Sequence, residues 1–287
     1  MLYLEQFQLP DQGKEDGFLS NYRDPRMQRT CYASKYPFHI FRYRKVPMLE
    51  LEPITIFYGG NGSGKSTLLN VMAEHLKLKR TAVYNRSPFF EDYVSLCTHR
   101  GTVPPGSRII TSDDVFDYLL NIRYLNENLD DQREKLLSEY RNVKYSGFQL
   151  RSLEDYDELK KHVDATRASG SQYARSRLME TVQERSNGES ALQFFTEAIQ
   201  ERALYLLDEP ENSLSAGRQL ELRQFLADSV RFYGCQFVIS THSPFLLSLP
   251  GAKIYDLDAA PPCPRKWTEL ENVRLYRAFF KDHDKEF

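Results

Sequence analysis

A chain of 287 residues and 33.6 kDa, 41% hydrophobic and 27% charged, has the apolar mass for one large α/β domain, or one such domain carrying a helical insertion. A formal net charge of −2 and a pI ≈ 6.3 exclude a globally basic nucleic-acid binder and leave only local basic patches for that role. No apolar run approaches the ~18 residues of a membrane-spanning helix. Cys31, Cys97, Cys235 and Cys263 show no CxxC pair and no His at metal-ligand spacing, which predicts reduced structural thiols in a cytoplasmic protein. The N-terminus carries Glu5 and Asp11 and no basic segment, so residues 1–8 read as a first strand and not as a signal peptide.

After a polar loop through Pro37, the run ITIFY at Ile54 to Tyr58 reads as a short buried strand ending in a glycine-rich turn. Leu68, Leu69, Met72 and Leu76 then recur at helical spacing. Between them lies GGNGSGKST, in which Gly59, Gly64, Lys65 and Ser66 fit G-x-x-x-x-G-K-[ST]. Gly60, Asn61, Gly62, Ser63 and Thr67 complete the loop. Glycines there let successive backbone N–H groups turn onto phosphate oxygens, and the helix start adds its positive end. Lys65 supplies a mobile cation, and Ser66 a hydroxyl for Mg²⁺. Arg86, in YNRSPF, is either a further phosphate contact or a solvated turn arginine.

The stretch 112–185 is rich in Leu, Tyr, Glu, Arg and Lys with few strand signals, and predicts several helices forming a lobe. No heptad pattern persists in it, so a long coiled-coil arm is not expected. Ser186, Asn187, Gly188 and Glu189 open SNGES ahead of a helical segment. They read either as an N-cap and turn or as an anion site at a helix start.

The α/β pattern then returns. ALYLLDEPE describes a buried strand over 203–207 with Asp208 and Glu209 at its carboxyl end, where α/β folds bind ligands. Asp208 is placed to hold Mg²⁺ and Glu209 to polarise an attacking water; alone, the pair is equally a turn. A helix follows from about Ser215 to Gly234, then the strand QFVIS at Gln236 to Ser240. His242, in STHSP, emerges at the same sheet edge, as a structural histidine or as a donor to a γ-phosphate. A strand over 253–257 and a last helix, with Thr268 and Glu271 in capping-box spacing, complete the chain.

The phosphate loop, SNGES, LLDEPE, the SLSA stretch at Ser213 to Ala216 and STHSP stand in the order and spacing of ATP-binding-cassette ATPases. More narrowly, the chain resembles the small standalone "AAA family" predicted ATPases of bacteria, which share the IYDLD strand and a terminal helix like TELENVRLYRAFF. Broader relatives are the structural-maintenance-of-chromosomes, RecF-type and overcoming-lysogenization-defect ATPases. The resemblance covers residues 54–280.

It implies an α/β P-loop NTPase of ATP-binding-cassette type, with a central mixed or parallel sheet flanked by helices and a helical lobe inserted. One composite ATPase domain would comprise 1–111, a helical lobe at 112–185, and 186–287. It implies ATP and Mg²⁺ as ligands and a head-to-tail homodimer in which the signature of one subunit closes over the ATP of the other. Lys65, Glu209 and His242 would then be catalytic. Residues 59–67, Arg86 and residues 186–189 would hold nucleotide, and Ser66 and Asp208 the metal. SNGES departs from the usual LSGGQ by placing Glu189 where a small residue stands. The usual glutamine at the end of a middle strand is replaced by Ser112, Asp113 and Asp114, read as its substitute or as helix caps.

The purpose of hydrolysis is open between three classes. The first is action on nucleic acid or a protein partner, in genome maintenance or phage defence. The second is the ATPase subunit of a transporter, and the third a slow regulatory switch. Three basic clusters are candidate phosphate contacts or solvated faces: Arg23, Arg26 and Arg29; Arg42, Arg44 and Lys45; and Lys77, Lys79 and Arg80.

Overall fold

The runs ITIFY, LYLL and QFVIS are mostly apolar on both faces, so each is best covered on both sides, the habit of parallel strands beneath helices. A computed structural model of the chain describes residues 2–20, 25–28, 35–42, 44–145, 169–175 and 187–286. Its strands are β1 (Leu4–Gln8), β2 (Leu49–Glu50), β3 (Ile54–Tyr58), β4 (Thr98–Gly101), β5 (Arg108–Thr111), β6 (Leu204–Asp208), β7 (Gln236–Ser240), β8 (Lys253–Asp256) and β9 (Cys263–Arg265). Six of them form one sheet in the order β5-β6-β7-β3-β8-β9. Its pairings are parallel except β8 with β9. β1, β2 and β4 form a separate antiparallel sheet. β3 and β7 are buried at every residue. The result is an α/β fold with a mixed sheet flanked by helices.

The helix Lys65–His75 packs on β6 and buries Leu68, Leu69, Val71 and Met72; the helix Ala216–Tyr233 packs on β7 and buries Leu222 and Leu226. The fully buried Gln236 ties the two sheets together. Its Oε1 accepts from the N–H groups of Tyr3 and Leu4 at 2.8 and 2.9 Å, and its Nε2 donates to the Leu4 carbonyl at 2.8 Å. A buried amide is tolerated because each of its groups has a partner.

Parallel pairing brings the carboxyl ends of four strands to one edge. Thr111 stands opposite Asp208, Asp208 opposite Ser240, and Ser240 opposite Phe57. Whatever follows these residues in the chain therefore meets at that edge, which is where α/β sheets hold ligands.

The described residues divide into two compact units, 1–116 with 187–287, and 117–186. Much of 112–185, where several helices are expected, lies outside the described residues, and two helices are described there. Residues Ser112–Tyr145 form one continuous helix of 34 residues, about 50 Å long at 1.5 Å per residue. No Gly or Pro occurs between Ser112 and Tyr145 to break it. Asp113 and Asp114 in its first turn and Lys144 in its last complement its dipole. A short helix, Gly170–Arg175, packs near Tyr140. No helix among the described residues is long and apolar enough to cross a membrane.

The last helix also differs in detail. It runs Glu271–Asp282 with Leu270 at its N-cap and no side-chain cap, so Thr268 and Glu271 do not form the expected box. A 3-10 turn at Trp267–Glu269 precedes it instead, with Glu269 closing back on the Lys266 N–H at 3.4 Å.

Candidate functional site

The loop after β3 is shaped by its glycines. Gly62 and Gly64 adopt φ of +80° and +94°, backbone that L side chains rarely take. At Gly64 a Cβ would also fall 2.9 Å from the Phe41 ring, so the loop closes against Phe41 only because nothing projects there. The helix begins at Lys65, directly behind this turn.

Lys65 is 5% exposed, and its ammonium folds back under the loop. It donates to the carbonyls of Gly59 at 2.7 Å and Gly60 at 3.2 Å, and lies 3.6 Å from Glu209 Oε1. Asn61, Gly62, Ser63, Gly64, Lys65, Ser66 and Thr67 line a cleft of about 540 Å³ together with Ile40 and Glu209. That volume lies within the usual range of ligand sites, roughly 300–1,000 Å³.

Across the cleft floor the Ser66 hydroxyl donates to Asp208 Oδ1 at 3.1 Å, and the Ser240 hydroxyl donates to the same oxygen. Burial pushes the Asp208 carboxyl above its ordinary range, and the hydrogen bonds from Ser240 and Ser66 pull it back. Glu209 turns off the strand with φ +48°, a left-handed conformation unusual outside glycine. Its N–H donates to the Ser240 carbonyl at 3.0 Å, which holds this turn, and Asn212 Nδ2 donates to its Oε2 at 3.1 Å.

His242 joins the same edge. Its Nδ1 lies 4.0 Å from Glu209 Oε1 and 3.5 Å from Glu211 Oε1. Lys65, Ser66, Asp208, Glu209 and His242, distant in sequence, are thus one cluster. Sequence reasoning missed Ser240 and Glu211 within it. Ser240 was visible as the last residue of QFVIS, and Glu211 as a third acid in DEPE.

The remaining sequence candidates lie elsewhere. Arg86 is exposed, its guanidinium 5.9 Å from the Tyr84 ring centroid, and does not line the cleft. Ser186 lies outside the described residues, and Asn187 opens the helix Asn187–Ala198. Glu189, in the first turn of that helix, is paired with Arg218 at 2.7 Å. Asp114 serves as an internal tether. It accepts from the Thr111 N–H at 2.8 Å and the Ala82 N–H at 3.1 Å.

Four of the basic candidates are engaged within the fold. Arg26 pairs with Asp92 and Arg42 with Asp16, each at 2.8 Å. Arg44 donates to the carbonyls of Ser63 and Leu257, and Arg80 bonds Asn70 and stacks 3.8 Å from the Tyr84 ring centroid. Arg23 and Arg29 lie outside the described residues.

A helix-flanked mixed sheet with a glycine loop, a helix-first lysine and adjacent acids at the end of the next-but-one strand defines a nucleotide-type α/β class. The chain belongs to the family described as "AAA domain, putative AbiEii toxin, Type IV TA system", whose profile matches residues 72–248. The match takes in Asp208, Glu209 and His242 and begins after the phosphate loop. No curated protein matches the sequence.

Among solved structures the chain is similar to the Smc head domain of Pyrococcus furiosus bound to the C-terminal domain of ScpA. The identity is 13% and the TM-score 0.40, over 84% of this chain and 95% of that one. It is also similar to a metal-chelate-type ABC transporter in an inward-facing conformation, at 18% identity and TM-score 0.38, over 82% and 80% of the two chains. A dimeric bacterial ABC transporter cassette matches at 17% identity and TM-score 0.37, over 78% and 90%.

Proposed function

We propose that the chain binds Mg-ATP in this cleft and hydrolyses it to ADP and phosphate. The observation that carries the reading is the Ser66–Asp208 hydrogen bond, with Lys65 and Glu209 paired beside it on the same cleft. A hydroxyl and a buried carboxylate are hard oxygen donors of the kind Mg²⁺ takes. Among the described residues no cluster of three or more His, Cys, Asp or Glu could hold an ion alone, so phosphate and water oxygens would complete the shell. When bound, the cation would neutralise charge on the β- and γ-phosphates. It would also offset the burial that raises the Asp208 carboxyl.

The protein's own groups supply the rest. The turned backbone of residues 61–66 presents N–H groups to phosphate oxygens, and Lys65 moves from the Gly59 and Gly60 carbonyls to the γ-phosphate. That movement releases Glu209 from its counter-charge, leaving it to orient the attacking water and accept its proton. His242 donates to the transferred group as negative charge spreads over it.

The second subunit in this reading is another copy, placed head to tail, with Gly188 and Glu189 facing its partner's nucleotide. The Arg218 pairing with Glu189 supports it, because the acid at this helix start carries its own counter-charge. The internal engagement of Arg26, Arg42, Arg44 and Arg80 favours a protein partner over nucleic acid as the recipient of the coupled motion. Phosphate release by the purified chain, measured with and without Mg²⁺ and with Lys65→Ala as control, tests the core of this. Turnover that survives both EDTA and Lys65→Ala would remove it.

A further inference from the structure

Glu211 follows Glu209 by two residues, at the turn out of β6, and is 5% exposed. Its Oε1 accepts from the Thr241 hydroxyl at 2.6 Å and from the His242 N–H at 3.0 Å, and lies 3.5 Å from His242 Nδ1. Thr241 is fully buried. On the other side of the same residue, Asn272 Nδ2 donates to the His242 carbonyl at 2.7 Å. The His242 main chain is therefore held at both ends, by Glu211 through its N–H and by Asn272 through its carbonyl.

A carboxylate is a costly way to satisfy two donors. Glutamine has the same shape and the same acceptor oxygen, and leaves no charge to desolvate. Burial pushes the Glu211 carboxyl up, and its Oε2 finds no hydrogen-bond partner among the described residues. What the acid alone provides is negative charge facing Nδ1 of His242, where Glu209 Oε1 stands at 4.0 Å from the same atom. A carboxylate at Nδ1 favours the proton on that nitrogen and leaves Nε2 as the one available to a ligand.

We infer that Glu211 is the positioning residue of His242: it fixes the backbone and ring of this histidine so that it acts at the cleft together with Glu209. Glu211 has this role only within the ATPase reading of the cleft.

The test is a double-variant cycle on the full chain with Mg-ATP. Glu211→Gln retains the acceptor for Thr241 and the His242 N–H. It is expected to melt at or above the wild-type temperature and to keep KM within about twofold, while kcat falls by about tenfold or more. His242→Ala is expected to lower kcat as well. The double variant is then expected to be no slower than His242→Ala alone, because residues acting as a unit are not additive. A Glu211→Gln protein with full kcat overturns the assignment, as does a double variant in which the two losses multiply. A purely structural Glu211 would instead lower the melting temperature and leave the kcat of the folded fraction intact. Wild-type turnover abolished by Lys65→Ala keeps the ATPase reading whichever way Glu211 resolves.

Discussion

The Lys65 ammonium stands 3.6 Å from Glu209 Oε1 while donating to the carbonyls of Gly59 and Gly60. The cation of the phosphate loop and the acid at the end of the next-but-one strand thus neutralise one another across the cleft. In the proposed ATPase reading a phosphate entering there would replace Glu209 as the counter-charge of Lys65, which would make binding of the anion and freeing of the acid one event.

Lys65→Ala removes that cation and leaves the loop backbone in place. Nucleotide affinity is expected to fall, and kcat/KM to drop by 10²-fold or more, on the order found when one charge-stabilising donor is removed. Titration with a fluorescent ATP analogue and a phosphate-release assay check the two halves separately. Wild-type turnover in this variant, from a contaminant-free preparation, would leave the cleft without its function.

Glu209→Gln keeps the shape, the left-handed backbone and the acceptor for Asn212 but loses the charge that orients water. ATP is expected to bind and persist, with kcat reduced on the order of 10²–10⁴-fold. If two copies share the nucleotide, binding adds to dimer stability by mass action. Light scattering of this variant is then expected to show a dimer with Mg-ATP and not without it. A monomer at saturating ATP contradicts a shared site.

The cluster of acids and hydroxyls was only partly readable in the sequence. Lys65 and Ser66 were legible from the GGNGSGKST pattern, and Asp208, Glu209 and His242 because each sits just after an apolar run, which fixes where a buried strand ends. Ser240 and Glu211 were not, because their roles depend on strand order. Asp208 meets Ser240 only because β6 and β7 are neighbours, and Glu211 reaches Thr241 only across that same pairing. The length of the helix Ser112–Tyr145 was not legible for a different reason. Its polar composition lacks one sustained apolar stripe, so the absence of Gly and Pro was the better guide to its length. The partners that engage Arg42, Arg44 and Arg80 within the fold were not legible, because composition does not show that Asp16, the Leu257 carbonyl and the Tyr84 ring lie beside them.

Glu15 gives a pH signature unconnected with the cleft. It is 1% exposed, and burial raises its carboxyl above the ordinary value of 4.5, with Tyr93 beside it. A raised folded-state pKa means the folded protein holds the proton more tightly than the unfolded chain. Its stabilising contribution is therefore complete below the ordinary value and is lost as pH rises through the folded one. Glu15→Gln removes this dependence. It is expected to melt close to wild type at about pH 4 and to be the more stable protein at about pH 8. Paired thermal melts at the two pH values decide it. A gap that closes with rising pH has the wrong sign and would mean that Glu15 is ionised and paired in the fold.

Gly188 decides whether the signature acts across two copies. It lies in the first turn of the helix Asn187–Ala198, and a Cβ there would meet Arg218 Cγ at 3.5 Å, an ordinary contact. Gly188→Asp therefore fits the fold of a single copy, and the phosphate loop around Lys65 is untouched. ATP binding by the isolated chain is expected to stay within about twofold of wild type, while the new carboxylate repels the partner's γ-phosphate and lowers turnover at least about 10²-fold. Lys65→Ala and Gly188→Asp, each inactive alone, are then mixed. In a mixed dimer one site carries both lesions, and the other pairs an intact Lys65 with an intact Gly188. With a quarter to a half of the molecules in such dimers, activity on mixing is expected to rise to roughly a tenth to a quarter of wild type, provided each site fires independently. The measurement is steady-state phosphate release across a range of mixing ratios. Its maximum should fall near equal amounts, where mixed dimers are most abundant. If Gly188→Asp alone hydrolyses ATP at the wild-type rate, SNGES is a helix start and nothing more, and the second copy has no part in the chemistry.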